Sequence, residues 1–309
     1  MKTQTHVLLI GYSNIARKRL INYFIKKKVK FSVASKSYKD RIKYAFKQYK
    51  SYEKALKDSK ANIIYISLPN SLHYIWAKKA LKHGFHVLVD KPICDKLSNS
   101  IELVNLAKKK NRLISEAIFF NYHKQIKKSL EITGGKKKIS KINVNFTIPK
   151  PQKGSILLSK KLKGGVIMDM GPYAASIHRI FFNTEIIKKK FYIKLNKKKL
   201  PIEMYLKIYY KNKIYNGTFK FGGNYKNQIT IFSKKYKIKI NRAFSPPENN
   251  DLYLDIYKKN LTNQKIIKKD NCFGNYFNKI LNSINKKNYL QFYNQILSDH
   301  KFRNYIINQ

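Results

Sequence analysis

The chain is expected to fold as an N-terminal doubly wound parallel α/β sheet followed by an α+β domain with a mainly antiparallel open sheet. Three observations predict this. Short apolar runs alternate with helical patterns through the first 121 residues, a rhythm that calls for parallel strands joined by crossover helices. One of these runs, His86-Val-Leu-Val-Asp-Lys-Pro-Ile93, ends abruptly in an acid, a lysine and a proline. Proline cannot extend a central strand and restricts the residue before it, so the strand must stop at Asp90-Lys91. From residue 122 the rhythm changes to long alternating strands with few helices between them, the pattern of an antiparallel sheet. The expected division is therefore 1–121 and 122–309.

In the first part, Thr5–Ile10 reads as a strand. Gly11-Tyr-Ser-Asn-Ile-Ala16 then turns into a helix ending near Lys27, with Leu20, Ile21, Phe24 and Ile25 as its buried stripe. Strand, tight turn and helix make a variant of the dinucleotide fingerprint G-x-G-x-x-G/A. Gly11 makes the turn, Ala16 allows close helix–strand packing, and Ser13, Asn14 and Ile15 line the space between. Ser13 replaces the middle glycine and is expected to hinder slightly the backbone's approach to a pyrophosphate. A second strand, Phe31–Ser35, ends in Ser35-Lys36 with no acid before Asp40. An acid there would bind the ribose 2′-hydroxyl of NAD, whereas a hydroxyl and a cation suit a 2′-phosphate. NADP is therefore expected ahead of NAD.

Helices are expected near Lys39–Tyr49 and Tyr52–Asp58, then a buried strand at Asn62–Ser67. Leu68-Pro69-Asn70-Ser71-Leu72-His73 opens the helix Leu72–His83, whose free N–H groups and positive dipole end would face the same crevice. His73 alone reads as a helix-surface or packing residue. The strand His86–Asp90 holds Lys91 at its carboxyl end, where ligands bind in open α/β sheets. A helix from a Ser98 cap through Lys110 and a strand at Arg112–Ala117 complete this part.

Beyond a helical stretch at Tyr122–Ile132, strands are expected at Ile142–Ile148, Phe191–Leu195, Met204–Tyr210, Ile214–Phe221, Gln228–Phe232 and Tyr236–Ile240. One helix, from Gly164 to about Phe182, interrupts them, and two more, Cys272–Ile284 and Tyr289–Ile307, close the chain. Asp169 and Tyr173 are four apart on the interrupting helix and project from one face. Asp169 also suits a helix start, where an acid complements the dipole.

The bulk properties exclude several classes. No apolar run is long enough to span a membrane, the apolar stretch near the N-terminus is too short for a signal segment, and Cys94 and Cys272 lie too far apart for a metal spacing. A cytoplasmic location without a membrane partner is the expectation. His83 and His86 span a helix end and a strand start and do not converge, so no metal is expected. The formal net charge of +50 invites a nucleic-acid role. Its lysines, however, are spread along the whole chain, and the other over-used residues (Ile, Asn, Tyr, Phe) share A/T-rich codons; composition bias explains both. No specific nucleic-acid partner is expected.

Taken together, Gly11-x-Ser-x-Ile-Ala16, Leu68-Pro-Asn-x-x-His73, Asp90-Lys-Pro92, Glu116-Ala117 and Gly164-Gly165 with Asp169-x-Gly171-x-Tyr173 resemble the Gfo/Idh/MocA oxidoreductases in order and spacing. The resemblance implies a Rossmann domain that binds NAD(P) through Gly11, Ser13, Asn14, Ile15, Ser35, Lys36, Leu68, Pro69, Asn70, His73, Asp90 and Lys91. It also implies a catalytic set of Lys91, Asp169 and Tyr173, with the Asp169–Tyr173 face turned toward Lys91. Tyr173 is then the expected proton donor, since an ammonium beside a phenol lowers its pKa from about 10. Lys91 would polarise the carbonyl, and Asp169 would orient a substrate hydroxyl or Lys91. Three positions depart from the family pattern: Ser13 for glycine, Asp90 for glutamate, and Tyr173 where inositol-type members carry histidine.

Asn145-Phe-Thr-Ile-Pro-Lys-Pro-Gln152 and Ile240-Asn-Arg-Ala-Phe-Ser-Pro-Pro247 further resemble the sugar-nucleotide 3-ketoreductases of that family. The function implied is reduction of a 3-keto sugar nucleotide by NADPH. Alternatives are a free-sugar, cyclitol or dihydrodiol dehydrogenase, and a non-catalytic NAD(P)-binding regulator or basic nucleic-acid-associated protein. An open sheet face rich in Tyr, Ile and Phe predicts a homodimer or tetramer.

Overall fold

The computed structural model describes residues 4–38, 40–259 and 261–308. They form two compact units. One comprises the chain up to Ala117 together with Ile280–Leu297; the other comprises Ile118–Lys279 and the chain from Ser298 onward. The first unit thus ends before residue 121 and takes in a segment from near the far end, which a reading of local periodicity has no means to assign.

In the first unit β1 (His6–Ile10) leads through a wide helical turn, Ala16–Ile21, into α1 (Asn22–Lys26). There follow β2 (Lys30–Ala34), β3 (Gln48–Tyr49), α2 (Tyr52–Asp58), β4 (Ile63–Ile66) and α3 (Asn70–Lys82). Then come β5 (His86–Asp90), α4 (Leu97–Lys109) and β6 (Ile114–Ala117). The strands form one parallel sheet in the order β3-β2-β1-β4-β5-β6. The chain leaves β1 for β2 on one side and later enters β4 on the other, so the topological switch point lies between β1 and β4. Apolar runs make these central strands: Val7, Leu8, Leu9 and Ile10 are fully buried, as are Val87, Leu88 and Val89.

Several expectations are corrected here. No helix forms across the expected Lys39–Tyr49 span, whose first residue lies outside the described residues. Gln48 instead accepts from Ile42 N–H through its side chain at 3.1 Å, and β3 pairs Val33 with Gln48 and Ala34 with Tyr49. Satisfying the open edge of β2 outweighs the local helical pattern. Ile25 is exposed, whereas Leu20, Ile21 and Phe24 are buried as expected. The α4 helix begins at Leu97, ahead of the expected Ser98 cap.

The second unit contains α5 (Lys124–Thr133), β7 (Ile139–Ile148) and α6 (Val166–Ile177), the last continued by a wide turn at His178–Phe182. Seven strands follow: β8 (Lys188–Leu195), β9 (Pro201–Tyr210), β10 (Lys213–Phe221), β11 (Lys226–Ser233), β12 (Lys237–Asn241), β13 (Leu252–Lys258) and β14 (Leu261–Ile267). The final helices, α7 (Cys272–Asn285) and α8 (Leu290–Ile307), are divided between the two units. The sheet order is β14-β13-β12-β11-β7-β10-β9-β8, antiparallel except for the parallel pair β7–β10. Strands β13 and β14 were not expected. From Leu261 to Ile266 every residue is exposed, so β14 carries no alternation of burial and owes its form to pairing with β13.

Alternation fixes the core of this unit. Ile142, Val144, Met204, Ile208, Tyr215, Phe219, Ile229 and Ile231 point to one face and join Val166, Met170 and Ala174 of α6 in a single cluster. The alternate positions on β7, β10, β11 and β12 include Asn143, Asn145, Asn216, Thr218, Gln228, Thr230 and Asn241, linked by side-chain bonds such as Asn216 to Asn143 (2.8 Å) and Gln228 to Asn241 (2.9 Å). On these central strands the opposite face is therefore rich in amides and hydroxyls, while Tyr205 and Tyr209 on β9 and Tyr253 and Tyr257 on β13 keep aromatic rings on the same face, as composition led one to expect. No helix among the described residues is long and apolar enough to cross a membrane.

Candidate functional site

At the carboxyl ends of the parallel strands, Gly11 leaves β1 with a φ of +94° and donates its N–H to Ala34 O at 2.9 Å. A Cβ there would lie 2.2 Å from Ser67 O, so both the backbone conformation and the closeness of the β4 loop demand glycine. This tight turn opens a helix whose first N–H groups lack intrahelical partners, the arrangement that holds a diphosphate. Ser13 does not intrude on it: its Oγ turns aside to lie 2.6 Å from Ser67 Oγ and accepts from Ala16 N–H at 3.1 Å. Ile15 stays 43% exposed, an apolar side chain without cover at the helix start, and the Asn14 side chain accepts from Arg17. On the neighbouring strand end, α3 starts after Pro69 with no side-chain cap. Leu68, Pro69 and Asn70 are all partly buried there. These features fit a bound dinucleotide.

The backbone around Lys91 is pinned on both sides. Before it, Asp90 accepts from Ser67 Oγ at 2.6 Å and, through its other oxygen, from Tyr65 OH. After it, Pro92 O lies 2.7 Å from His73 Nδ1, and Ile93 N–H donates to Glu116 Oε1 at 3.0 Å. The Lys91–Pro92 peptide is cis, and Lys91 itself is partly buried. His73 is 1% exposed, and its Nε2 lies 2.7 Å from Leu68 O. Expected among the cofactor contacts, His73 is instead buried between two loops that it ties together.

The end of β2 is arranged differently. Ser35 is buried, and its Oγ accepts from Tyr38 N–H at 3.1 Å. Lys36 is exposed, with its Nζ 5.0 Å above the Tyr52 ring. Tyr12 and Tyr38 pack at 4.6 Å, with the Arg17 guanidinium 5.6 Å over Tyr12. Arg17 is a cation beside this strand end that sequence reasoning passed over among so many others.

In the second unit Asp169 and Tyr173 sit four apart on α6, both partly buried. Gly165 precedes this helix with a φ of +95°, and Asp169 N–H donates to Gly165 O at 3.0 Å. The Tyr173 ring lies 5.7 Å from Phe120, 5.5 Å from Phe146 and 5.2 Å from Phe244. Phe146 and Phe244 stack at 4.9 Å. Two stretches singled out in the sequence, 145–152 and 240–247, thus converge on Tyr173.

Phe244 is itself held. Asn227, 3% exposed, accepts from Phe244 N–H at 2.8 Å and donates to Tyr225 OH (2.8 Å) and Ser245 Oγ (2.7 Å). His178 packs rather than presenting itself: it stacks on Phe302, bonds Tyr210 OH at 2.8 Å, and burial lowers its pKa to about 4. His123 accepts from Gln125 N–H at the start of α5, and burial lowers its pKa as well. No group of three or more His, Cys, Asp or Glu side chains able to hold a metal occurs among the described residues.

Sequence reasoning missed Tyr65, Ser67, Phe120 and Asn227 and gave Glu116 no role. Tyr65 and Ser67 are two apart at a strand end, hence on one face. That signal acquires meaning only once β5 is known to lie beside β4.

A family model described as "Oxidoreductase family, NAD-binding Rossmann fold" (GFO_IDH_MocA) matches residues 5–118. The match takes in β1 to β6 and less than half of the chain, so the similarity is to that family's NAD-binding domain. Among curated relatives, D-xylose 1-dehydrogenase (NADP(+)) 2 of Haloferax volcanii is 30% identical over 138 residues, 44% of this chain and 42% of that protein. The dTDP-3,4-didehydro-2,6-dideoxy-α-D-glucose 3-reductase of Streptomyces antibioticus is 23% identical over 218 residues, 69% of this chain and 66% of that protein. The chain therefore spans 42% of the length of the first relative and 66% of the second. KijD10, a 3-ketoreductase from Actinomadura kijaniata solved with NADP and TDP-benzene, matches with a TM-score of 0.90 at 19% identity, covering 99% of this chain and 97% of that one. At that identity the agreement is one of fold, and it extends across both sheets.

Proposed function

We propose that this protein is a cytoplasmic NADP-dependent oxidoreductase that reduces a 3-keto sugar carried on a nucleoside diphosphate. The observation that carries this reading is the convergence of Phe146 and Phe244 on Tyr173, because these rings come from the two stretches that resemble sugar-nucleotide 3-ketoreductases. In this reading Gly11, Ser13, Asn14, Ile15, Leu68, Pro69 and Asn70 hold the dinucleotide diphosphate, with Ser35 and Lys36 at the 2′-phosphate. The bound nicotinamide supplies the hydride. Lys91 polarises the substrate carbonyl from a backbone pinned on both sides. Tyr173 gives its phenolic proton to the carbonyl oxygen as negative charge develops there, and Asp169 orients a substrate hydroxyl or Lys91. The aromatic wall excludes water from that proton transfer.

A free sugar is the second reading, favoured by the D-xylose dehydrogenase relative, whose similarity lies over less than half of this chain. The test is NADPH absorbance followed against keto-sugar nucleotides, free sugars, inositols and dihydrodiols. Turnover of a dTDP-linked 3-keto sugar, lost in Lys91→Met and Tyr173→Phe while NADPH still binds, supports the proposal. Turnover of xylose or inositol with none on any sugar nucleotide replaces the substrate. NADPH binding without any turnover replaces the enzyme with a regulator.

A further inference from the structure

The fingerprint turn departs from the dinucleotide pattern at Ser13, and the geometry gives that departure a use. Ser67 Oγ donates to Asp90 Oδ2 at 2.6 Å, which commits its single proton. Its 2.6 Å contact with Ser13 Oγ is then a bond in which Ser13 donates. Ser13 Oγ in turn accepts from Ala16 N–H at 3.1 Å. The donors point one way, from Ala16 N–H through Ser13 and Ser67 to the carboxylate of Asp90, and aligned bonds of this kind reinforce one another. Asp90 is the residue before Lys91. The chain of hydroxyls therefore runs from the dinucleotide turn to the backbone that carries the lysine. Glycine at position 13 would leave Ser67 without its donor and the turn without its tie to β5.

We propose that Ser13 and Ser67 are positioning residues, a hydroxyl pair that couples the dinucleotide turn to Asp90 and fixes the backbone holding Lys91. The proposal rests on the catalytic role read above for Lys91. It makes a demand that a tolerated departure from glycine does not: Ser13→Gly, which restores the fingerprint, slows the reaction instead of helping it.

The full-length protein is assayed with NADPH and dTDP-3,4-didehydro-2,6-dideoxy-α-D-glucose, and NADPH affinity is measured separately by its fluorescence. Ser67→Ala is expected to lower kcat by roughly tenfold or more, as loss of a charge-assisted bond would, with NADPH Kd and substrate KM within about twofold. Ser13→Gly is expected to lower kcat by roughly fivefold, as loss of a neutral bond would, with substrate KM within about twofold. Ser67→Thr, which keeps the hydroxyl, is expected to keep most of the rate. The double variant is expected to be no slower than Ser67→Ala, because the two side chains act as one unit. Hydrogen exchange at the Ile93 amide reads the same tie without any substrate: it is expected to quicken in Ser13→Gly and Ser67→Ala but not in Ser67→Thr. An unchanged or raised kcat in Ser13→Gly, or unchanged exchange at Ile93, overturns the proposal. Lys91→Met separates the two failures. If it leaves kcat intact, the catalytic reading falls and this inference with it; if it lowers kcat while the serine variants do not, only the inference falls.

Discussion

Replacing Asn227 with alanine is expected to damage the wall around Tyr173 more than any single ring contact in it. The side chain is 3% exposed and makes three bonds, one from Phe244 N–H and two to the hydroxyls of Tyr225 and Ser245. Tyr225 is 42% exposed, so its hydroxyl recovers a partner from water. Phe244 is buried, and its N–H recovers none. One orphaned buried donor costs about 1–3 kcal/mol, and the lost neutral bonds add about 1 kcal/mol. A total of about 2–4 kcal/mol lowers the melting temperature of a unit of this size by about 4–16 °C. The functional consequence follows from the ring geometry. Phe244 lies 5.2 Å from Tyr173 and 4.9 Å from Phe120, so a loosened Phe244 should raise KM for the sugar substrate and leave NADPH affinity alone. Calorimetry and steady-state kinetics on Asn227→Ala, beside Ser245→Ala as a mild control, measure both effects. A variant with an unchanged melting temperature and unchanged KM would refute the reasoning.

Stability should also depend on pH. Burial holds His86 and His178 neutral, lowering each pKa from 6.5 to about 4. Between those values the unfolded chain binds more protons than the folded one, so stability is full above about pH 6.5 and falls as pH drops toward 4, by at most about 3 kcal/mol per histidine. Urea midpoints measured across that range should show the slope, and His178→Phe should flatten it; equal slopes in both proteins would contradict this. Lys36→Ala should weaken NADPH binding by roughly tenfold or more, the worth of a charge-assisted contact, and leave NADH nearly unaffected. Equal losses for both cofactors would remove Lys36 from the 2′-phosphate. We also expect a homodimer or tetramer, so a sedimentation mass of one 36.5 kDa chain at micromolar concentration would count against that assembly.

Local pattern made the parallel half of the fold legible. Apolar runs such as Val87-Leu88-Val89 suit buried strands of a parallel sheet, and Gly11 and Pro92 punctuate the chain through their own backbone restrictions. The alternating strands from β7 to β12 were legible for the same reason, since burial on one face imposes a period of two. The candidate site was legible where chemistry is written into adjacent residues, as in Asp90-Lys91-Pro92 or Asp169 and Tyr173 on one helix face. Where a conformation depends on a distant partner, local pattern carried no signal. The residues just before Gln48 have a helical pattern and yet end in an edge strand beside β2. The exposed β14 exists because β13 offers it an edge, and Ile280–Leu297 joins the first unit across most of the chain length. Sequence alone thus determined which segments are strands and helices where burial is periodic, and which turns need glycine or proline. Tertiary structure decided that Ser67 stands beside Asp90, that His73 spends both ring nitrogens between two loops, and that Phe146 and Phe244 meet at Tyr173. The reason is physical: backbone preference and amphipathic period act over a few residues, whereas hydrogen bonds across strands and aromatic contacts depend on which strands become neighbours.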